Sequence, residues 1–409
     1  TIALLNDGYN FIRKHCEEHK SDLFKTRLMG KPVICMTGRE AAEIFYDNSK
    51  FIRRGATPKR IQNTLFGEKG VQTLDDEAHL SRKDMFMSLM NPSQLNRFSQ
   101  LIYDQWNETS PRWEYQDQII LLEESQEIMC RVACKWAGVP VYENEVHQRS
   151  FEFGAMVDAF GAAGTRHRKG KIARESTEKW IRKIVTQTRE GKIQVPPGTA
   201  AHVFSLELHS GKLLDPKIAS VEIINILRPI VAVGTYIAFA ALALHHYPAC
   251  KKRIQDGDDQ FAEWFAQEVR RYYPFTPFVG ARVRTGFEWN GFKFPAKRLV
   301  LLDVYGINHD SHLWEKPEDF IPERFENRKT DPFNFIPQGG GDHYTGHRCA
   351  GEWITIIAIT EAVKFLSRNL QYEVPEQDLR VDLTRMPTAP QSHFIISKVL
   401  VKERVGELA

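Results

Sequence analysis

Apolar positions recur along most of this chain with the spacing of a helix rather than of a strand. Ala78 to Met90 (AHLSRKDMFMSLM) is amphipathic and runs into Asn91-Pro92, a helix stop. Leu121 to Trp136 and Thr177 to Arg189 carry the same spacing, Gln260 to Tyr273 is closed by Pro274, and Trp353 to Phe365 is a further apolar helix. The longest apolar run is Val221 to Tyr247, VEIINILRPIVAVGTYIAFAALALHHY. Its length would allow a bilayer span. However, Asn225 and Arg228 lie inside it, Pro229 breaks its hydrogen-bond ladder, and an Arg at the centre of a span costs roughly 2.5–3.5 kcal/mol. A helix apolar nearly all round is also the central helix of a large soluble body, and no membrane span is expected. Strand patterns are scarcer. Val279 to Trp289 and Phe292 to Asp303 flank Asn290-Gly291, a hairpin signal, and Phe394 to Val401 is another candidate. The most linker-like stretch, Ile193 to Ala200 (IQVPPGTA), brings no change of composition across it. The pattern predicts one mainly α domain over residues 1–409 with a small β portion.

Composition narrows the function classes. The 409 residues hold 55 Lys+Arg against 52 Asp+Glu, a net charge of +3, which argues against bulk electrostatic binding of nucleic acid or an anionic membrane. The 25 Phe, 12 Tyr and 8 Trp exclude a disordered chain. Six cysteines are too sparse for a disulfide scaffold, so a reducing compartment is expected. Thr1 to Lys20 includes Asp7, Arg13, Lys14, Glu17 and Glu18 with no unbroken apolar run, unlike a secretory leader. Cys130 and Cys134, four apart on a helix with no second pair nearby, read as core residues.

The densest chemistry lies in Phe333 to Gly351, FNFIPQGGGDHYTGHRCAG. Its glycines let backbone approach something flat or bulky. Cys349 comes just before a helix, where the dipole and unpaired N–H groups favour a thiolate. Three readings stand on this segment: an inert cysteine, a zinc site using His343, His347 and Cys349, and a haem held by one cysteine thiolate. The spacing H-x3-H-x-C matches no common zinc pattern. No Lys-Ser/Thr follows the glycines, so a phosphate loop is excluded.

Two upstream features bear on the choice. Glu268 and Arg271 share a helix face, and Pro322-Glu323-Arg324-Phe325 follows before the cysteine loop. An E-x-x-R helix, a short sheet, P-E-R-F, a glycine-rich loop and C-x-G leading into a helix, in that order, resemble the cytochrome P-450 superfamily. The resemblance runs from about Ala41 to the end. It implies that fold, with haem b buried between a long central helix and the cysteine loop. It also implies Cys349 as proximal iron ligand, and Glu268, Arg271 and Arg324 as a structural brace. The loop departs from the usual F-x-x-G-x-[RH]-x-C-x-G: His347 and Gly351 fit, but Asp342 stands at the Phe position and Thr345 at the Gly position. The string Q-G-G-G-D-H-x-x-G-H-R-C-x-G-E-W resembles the bacterial fatty-acid peroxygenases.

The long helix gives an independent test. Oxygen-activating members of the superfamily carry [AG]-G-x-[DE]-[ST] there, whereas Ile224 to Leu244 contains no Asp or Glu, only Arg228 followed by Pro229. A guanidinium keeps its proton, and an unpaired buried charge is costly, so Arg228 calls for an anionic partner. A ligand carboxylate is a natural one. The resemblance then implies peroxide-dependent hydroxylation of long-chain fatty acids at the alpha or beta carbon. The Arg228-bound carboxylate serves as acid and base, Pro229 opens space, and no NAD(P)H, flavin or redox partner is needed. It further implies Gln72 as the distal residue favouring hydroxylation over decarboxylation to an alkene, and Leu65, Phe66, Val157, Phe160 and Phe278 along the acyl chain. His79, Lys83, Arg53, Arg282 and His347 would bind the propionates, in a bacterial cytoplasmic enzyme. A haem or lipid carrier without turnover, and a zinc hydrolase, are the other readings.

Overall fold

The structure is a computed structural model and describes residues 1–209, 211–329 and 331–402. Helices dominate, and the longest, Pro216–His246, runs through the middle. Asp215 caps its start by accepting from the Lys217 N–H at 2.8 Å, and Pro216 sits where no intrahelical N–H is required. By length and hydropathy this helix alone, among the described residues, could cross a bilayer, but 94% of its apolar window is buried inside the protein. It packs on Leu121–Ala137, Gly164–Arg189 and Glu352–Arg368. Cys130 and Cys134 face this core and are fully buried, as their spacing suggested.

The main sheet has five strands in the order Leu23–Leu28, Lys31–Met36, Leu299–Asp303, Phe278–Val283 and Phe51–Ile52. A second sheet joins Gln118–Ile120, Ile395–Val401 and Leu370–Glu373. The two strands expected around Asn290-Gly291 each divide in two. The hairpin itself pairs Phe287–Trp289 with Phe292–Phe294 across Asn290 (φ 48°) and Gly291 (φ 74°). Beyond Phe294, Pro295 supplies no N–H and a turn follows, with Arg298 N–H bonded to the Pro295 carbonyl at 3.1 Å; the chain then regains strand at Leu299.

Three other outcomes differ from the pattern. The helix read at Thr177 begins at Gly164, because its first half is mostly cationic and buries only Gly170, Ala173 and Arg174, too few to show a period. The helix from Asp76 ends at Met87, before Asn91, which instead caps the next one, Pro92–Thr109, by accepting from Gln94 N–H at 3.0 Å. The hairpin Leu23–Leu28 with Lys31–Met36 carried no reading at all.

Candidate active site

Cys349 sits in the loop that precedes Glu352–Arg368, and the glycines shape that loop. Gly339 (φ 94°) and Gly341 (φ 82°) hold left-handed backbone, and a Cβ on Gly340 would lie 2.6 Å from the Pro332 carbonyl. The loop closes through Cys349 N–H to the Gln338 carbonyl at 3.0 Å. Cys349 is half-buried and free of any disulfide. Burial pushes its thiol up, against the pull of Lys83 and the Gly351 N–H. The expected dipole preference for a thiolate is therefore outweighed by desolvation.

The proximal side contains a network that the sequence reading did not single out. The Gln338 side-chain amide donates to Thr355 Oγ1 at 2.9 Å and to Cys349 Sγ at 3.8 Å, while its oxygen accepts from Arg270 Nε at 3.1 Å. Arg270 also pairs with Glu352, and Arg348 meets Glu352 at 2.6 Å. Burial would raise the Glu352 carboxyl, but Arg270 and Arg348 hold it at about 2. The three-residue spacing placed Arg271 on the face of Glu268, whereas nothing in the sequence pointed to a partner for the adjacent Arg270.

Zinc coordination does not fit this loop. His343 stacks on Trp353 with centroids 4.0 Å apart and lies 3.7 Å from Glu352, whereas His347 stacks on His79 at 3.9 Å. The two rings turn to different neighbours, and no metal-holding group of three His, Cys, Asp or Glu side chains occurs among the described residues.

Four basic side chains gather beside the loop. Arg53, His79 and Lys83 are buried, and His347 is largely so. Lys83 donates to the Arg348 carbonyl, and Arg53 lies over the rings of Phe45 at 4.5 Å and Tyr46 at 5.4 Å. Burial, with repulsion from Lys83, pushes His79 down to about 4; burial likewise brings Lys83 to about 8, and His347 falls through burial, Arg53 and His79. Of the carboxylates that act on this cluster, Asp75 is largely occupied by the backbone N–H groups of Arg53 (2.6 Å) and Arg54 (2.9 Å), Glu352 by Arg270 and Arg348, and Asp342 by Thr345. A basic cluster so short of counter-charge, next to an unclaimed thiol, fits a group that brings its own carboxylates and a metal. Arg282, on the strand Phe278–Val283, is already engaged: its guanidinium donates to the carbonyls of Gly55 (2.6 Å) and Lys297 (2.7 Å).

Arg228 projects from the central helix, buried, with its guanidinium 5.7 Å from the Phe66 ring centroid. It makes no ion pair among the described residues, and its Nε has no hydrogen-bond partner. Burial, reinforced by the charge of Arg174 and opposed by Cys349, pushes it down to about 9. A guanidinium does not give up its proton in practice, so a cation buried here calls for an anion. The central helix carries a carboxylate just before the uncharged stretch, six residues ahead of Arg228. Glu222 is fully buried but already bound to Arg82 at 2.5 Å.

Leu65 and Phe66 lie in the Gln62–Phe66 turn, and Val157 and Phe160 are half-buried around the end of Glu143–Asp158. Gln72 lies in the short turn Val71–Thr73, its amide oxygen accepting from Asn225 Nδ2 at 3.2 Å. Phe278 starts a sheet strand and packs on the cluster of Tyr9, Tyr305 and Met386. Pro229 removes the N–H that would have bonded the Asn225 carbonyl, yet the helix continues through it.

Away from the cavity, Arg271 grips Glu268 through two bonds, 2.7 and 2.8 Å, and both are fully buried. Arg324 reaches Glu268 at 3.2 Å, and the two arginines also tie down the carbonyls of Asn308, Glu315, Pro317 and Asp319.

A cytochrome P450 family model matches residues 260–392. Among solved structures, a mutant of cytochrome P450SP alpha (CYP152B1) is 43% identical with a TM-score of 0.96, the alignment covering 98% of this chain and 99% of that one. Cytochrome P450EX alpha (CYP152N1), solved with myristic acid, is 42% identical with a TM-score of 0.95, covering 98% and 97%. A variant of cytochrome P450 OleT in complex with arachidonic acid is 36% identical with a TM-score of 0.96, covering 99% and 97%. More distantly, beta-amyrin 28-monooxygenase of Kalopanax septemlobus is 22% identical over 93% of this chain and 85% of its own length. The match to cytochrome P450 3A11 of Mus musculus, 24% identical, spans 47% of this chain and 42% of that protein.

Proposed function

This chain belongs to the cytochrome P450 family, in its fatty-acid peroxygenase branch, and on that footing we propose that it hydroxylates long-chain fatty acids at the alpha or beta carbon using hydrogen peroxide. The single observation that carries the reading is Arg228: a buried cation without an ion-pair partner among the described residues, on a helix whose one buried acid, Glu222, is bound to Arg82.

In this proposal one haem domain comprises the chain. Cys349 Sγ ligates the iron, while Arg53, His79, Lys83 and His347 receive the propionates, which supply the counter-charge that the cluster lacks. The haem, when bound, supplies the oxidising chemistry. Arg228 takes the substrate carboxylate in a two-pronged hydrogen bond, which fixes the first carbons of the chain. Leu65, Phe66, Val157 and Phe160 give the acyl chain an apolar wall and exclude water. The clamped carboxylate accepts a proton from hydrogen peroxide and returns it to the departing oxygen, the task that an acid-alcohol pair performs in oxygen-activating members. One acid and one peroxide give one hydroxy acid and one water: peroxide accepts the two electrons that the carbon loses, and because it is already two electrons more reduced than dioxygen no flavin or nicotinamide enters. Gln72 cannot ionise, which disfavours loss of the carboxylate as carbon dioxide and keeps alkene a minor product. Related structures solved with myristic and arachidonic acid support the substrate class.

The test is turnover of the purified holoprotein with hydrogen peroxide and a long-chain saturated acid, products identified by mass spectrometry. Alpha- or beta-hydroxy acid without any reductase is expected. Absence of hydroxy acid, or alkene as the main product, overturns the reading.

A further inference from the structure

Glu222 has no part in the reaction described above, yet it is fully buried six residues ahead of Arg228 on the same helix. Arg82, from the helix Asp76–Met87, neutralises it at 2.5 Å. A carboxylate has lone pairs beyond those one guanidinium nitrogen uses. The rest reach toward the turn Val71–Thr73: Asn225 Nδ2 donates to Glu222 at 3.1 Å, and the Val71 backbone N–H is directed at the same carboxylate. The same Asn225 nitrogen donates to Gln72 Oε1 at 3.2 Å.

The order of these bonds dictates which way each amide faces. An ionised carboxylate only accepts, so Asn225 must turn its NH2 toward Glu222. Its second hydrogen then requires the oxygen of Gln72, and the Gln72 NH2 is left pointing away from Asn225. That nitrogen has no hydrogen-bond partner among the described residues. The fit is close: a Cβ on Gly70 would lie 2.8 Å from Asn225 Nδ2 and 3.1 Å from Gln72 Oε1, so the amide pair fills the space a side chain there would need.

We propose that Glu222, held by Arg82 and acting through Asn225 and Val71, is a positioning residue that keeps Gln72 as a hydrogen-bond donor to the substrate carboxylate and thereby sets the ratio of alpha-hydroxylation, beta-hydroxylation and decarboxylation. This rests on the function proposed above. Asn225 stands one helical turn before Arg228 on the same helix, so a donor that it orients bears on the clamped carboxylate, whose rotation decides which carbon is presented. With Glu222 neutral, the Asn225 amide is free to flip. Gln72 then offers its own oxygen, which repels the carboxylate instead of holding it.

The experiment compares wild type, Glu222→Gln, Asn225→Ala, Gln72→Ala and the double variant Asn225→Ala/Gln72→Ala. Product ratios are read with peroxide and a long-chain saturated acid, and hydrogen exchange is read over residues 70–74 of the holoprotein. Glu222→Gln and Asn225→Ala should each shift the product ratio by about three- to tenfold, as expected for one net hydrogen bond lost. Exchange at Val71 should quicken in Glu222→Gln by a similar factor. The Asn225→Ala effect should vanish in the Gln72→Ala background, since it acts through that residue. Unchanged ratios in both single variants, or an Asn225→Ala shift that persists in full without Gln72, overturn the proposal. Should Glu222→Gln fail to fold, Asn225→Ala, which unpairs no charge, decides it. A wild type that makes no hydroxy acid overturns the proposed reaction and the partition claim together, whereas unchanged exchange at Val71 overturns the tether alone.

Discussion

Arg228 should oppose folding and favour binding, and Arg228→Met separates the two. In the fatty-acid-free protein its guanidinium is desolvated with no counter-charge, so replacing it with an apolar side chain of similar length removes an unpaired buried charge. Such replacements leave stability unchanged or raise it by about 1–4 kcal/mol. Arg174 is the control. It is equally buried, but its Nε pairs with Glu178 at 2.7 Å and its Nη1 donates to the Leu65 carbonyl at 3.0 Å. Arg174→Met therefore leaves the Leu65 carbonyl unpaired and Glu178 with Arg182 alone at 3.8 Å, and should cost about 1–3 kcal/mol. Binding moves the other way. Loss of one side of a desolvated charge pair costs about 2–5 kcal/mol. At 1.4 kcal/mol per tenfold, that weakens fatty-acid binding by roughly 30-fold to several thousand-fold. The assays are urea unfolding of the ligand-free holoproteins and a spectral titration with a long-chain acid. If Arg228→Met unfolds as easily as Arg174→Met and binds the acid as wild type does, Arg228 is an ordinary structural cation and the clamp is wrong.

Three further outcomes follow from buried groups elsewhere. Arg271→Met should cost about 3–5 kcal/mol and release the carbonyls it holds, so unfolding moves to lower urea and less haem is retained on gel filtration. Asp303 is fully buried, its Oδ1 accepts from Gly306 N–H at 2.8 Å, and burial raises it from the usual 3.8 to about 7. The folded protein thus holds a proton that the unfolded chain releases; that contribution is present below pH 4 and is lost as pH rises through 7. Asp303→Asn should therefore gain on the order of 4 kcal/mol over wild type at pH 8 and close to nothing at pH 4, read by urea unfolding across pH. Gly67 has φ of 76°, and a Cβ there would meet Arg174 Nη2 at 2.2 Å and Val221 at 2.8 Å; Gly67→Ala should lower the melting temperature and weaken fatty-acid binding together, and an unchanged melt refutes the packing.

The sequence carried the central helix, the E-x-x-R helix and the helix after Cys349, because each buries a long, strongly periodic or wholly apolar face. It was weaker where burial is mixed. The first half of Gly164–Arg189 is too cationic to show a period, and the hairpin Leu23–Leu28 with Lys31–Met36 has one strand buried only in its second half. At the site, Cys349, Arg228 and the brace were legible because each stands in a motif or breaks the chemistry of its surroundings. Arg270, Glu352, Gln338, Glu222 and Arg82 were not, since ion pairs between residues 82 apart (Arg270–Glu352) and 140 apart (Arg82–Glu222) leave no trace in local spacing.

What the chain determined by itself is a set of side chains whose chemistry cannot be satisfied locally: a thiol after a glycine loop, an arginine within an uncharged helix, an acid and a base one helical turn apart. Helical periodicity and motif order are short-range properties, and they survive in a linear string. What the tertiary structure decided is who satisfies whom. It turned His343 and His347 to different neighbours, committed Arg282 to backbone carbonyls, gave Glu222 to Arg82 and left Arg228 alone. Those choices depend on which elements meet across the core and on how much water is excluded there, and both are set only when the chain has folded.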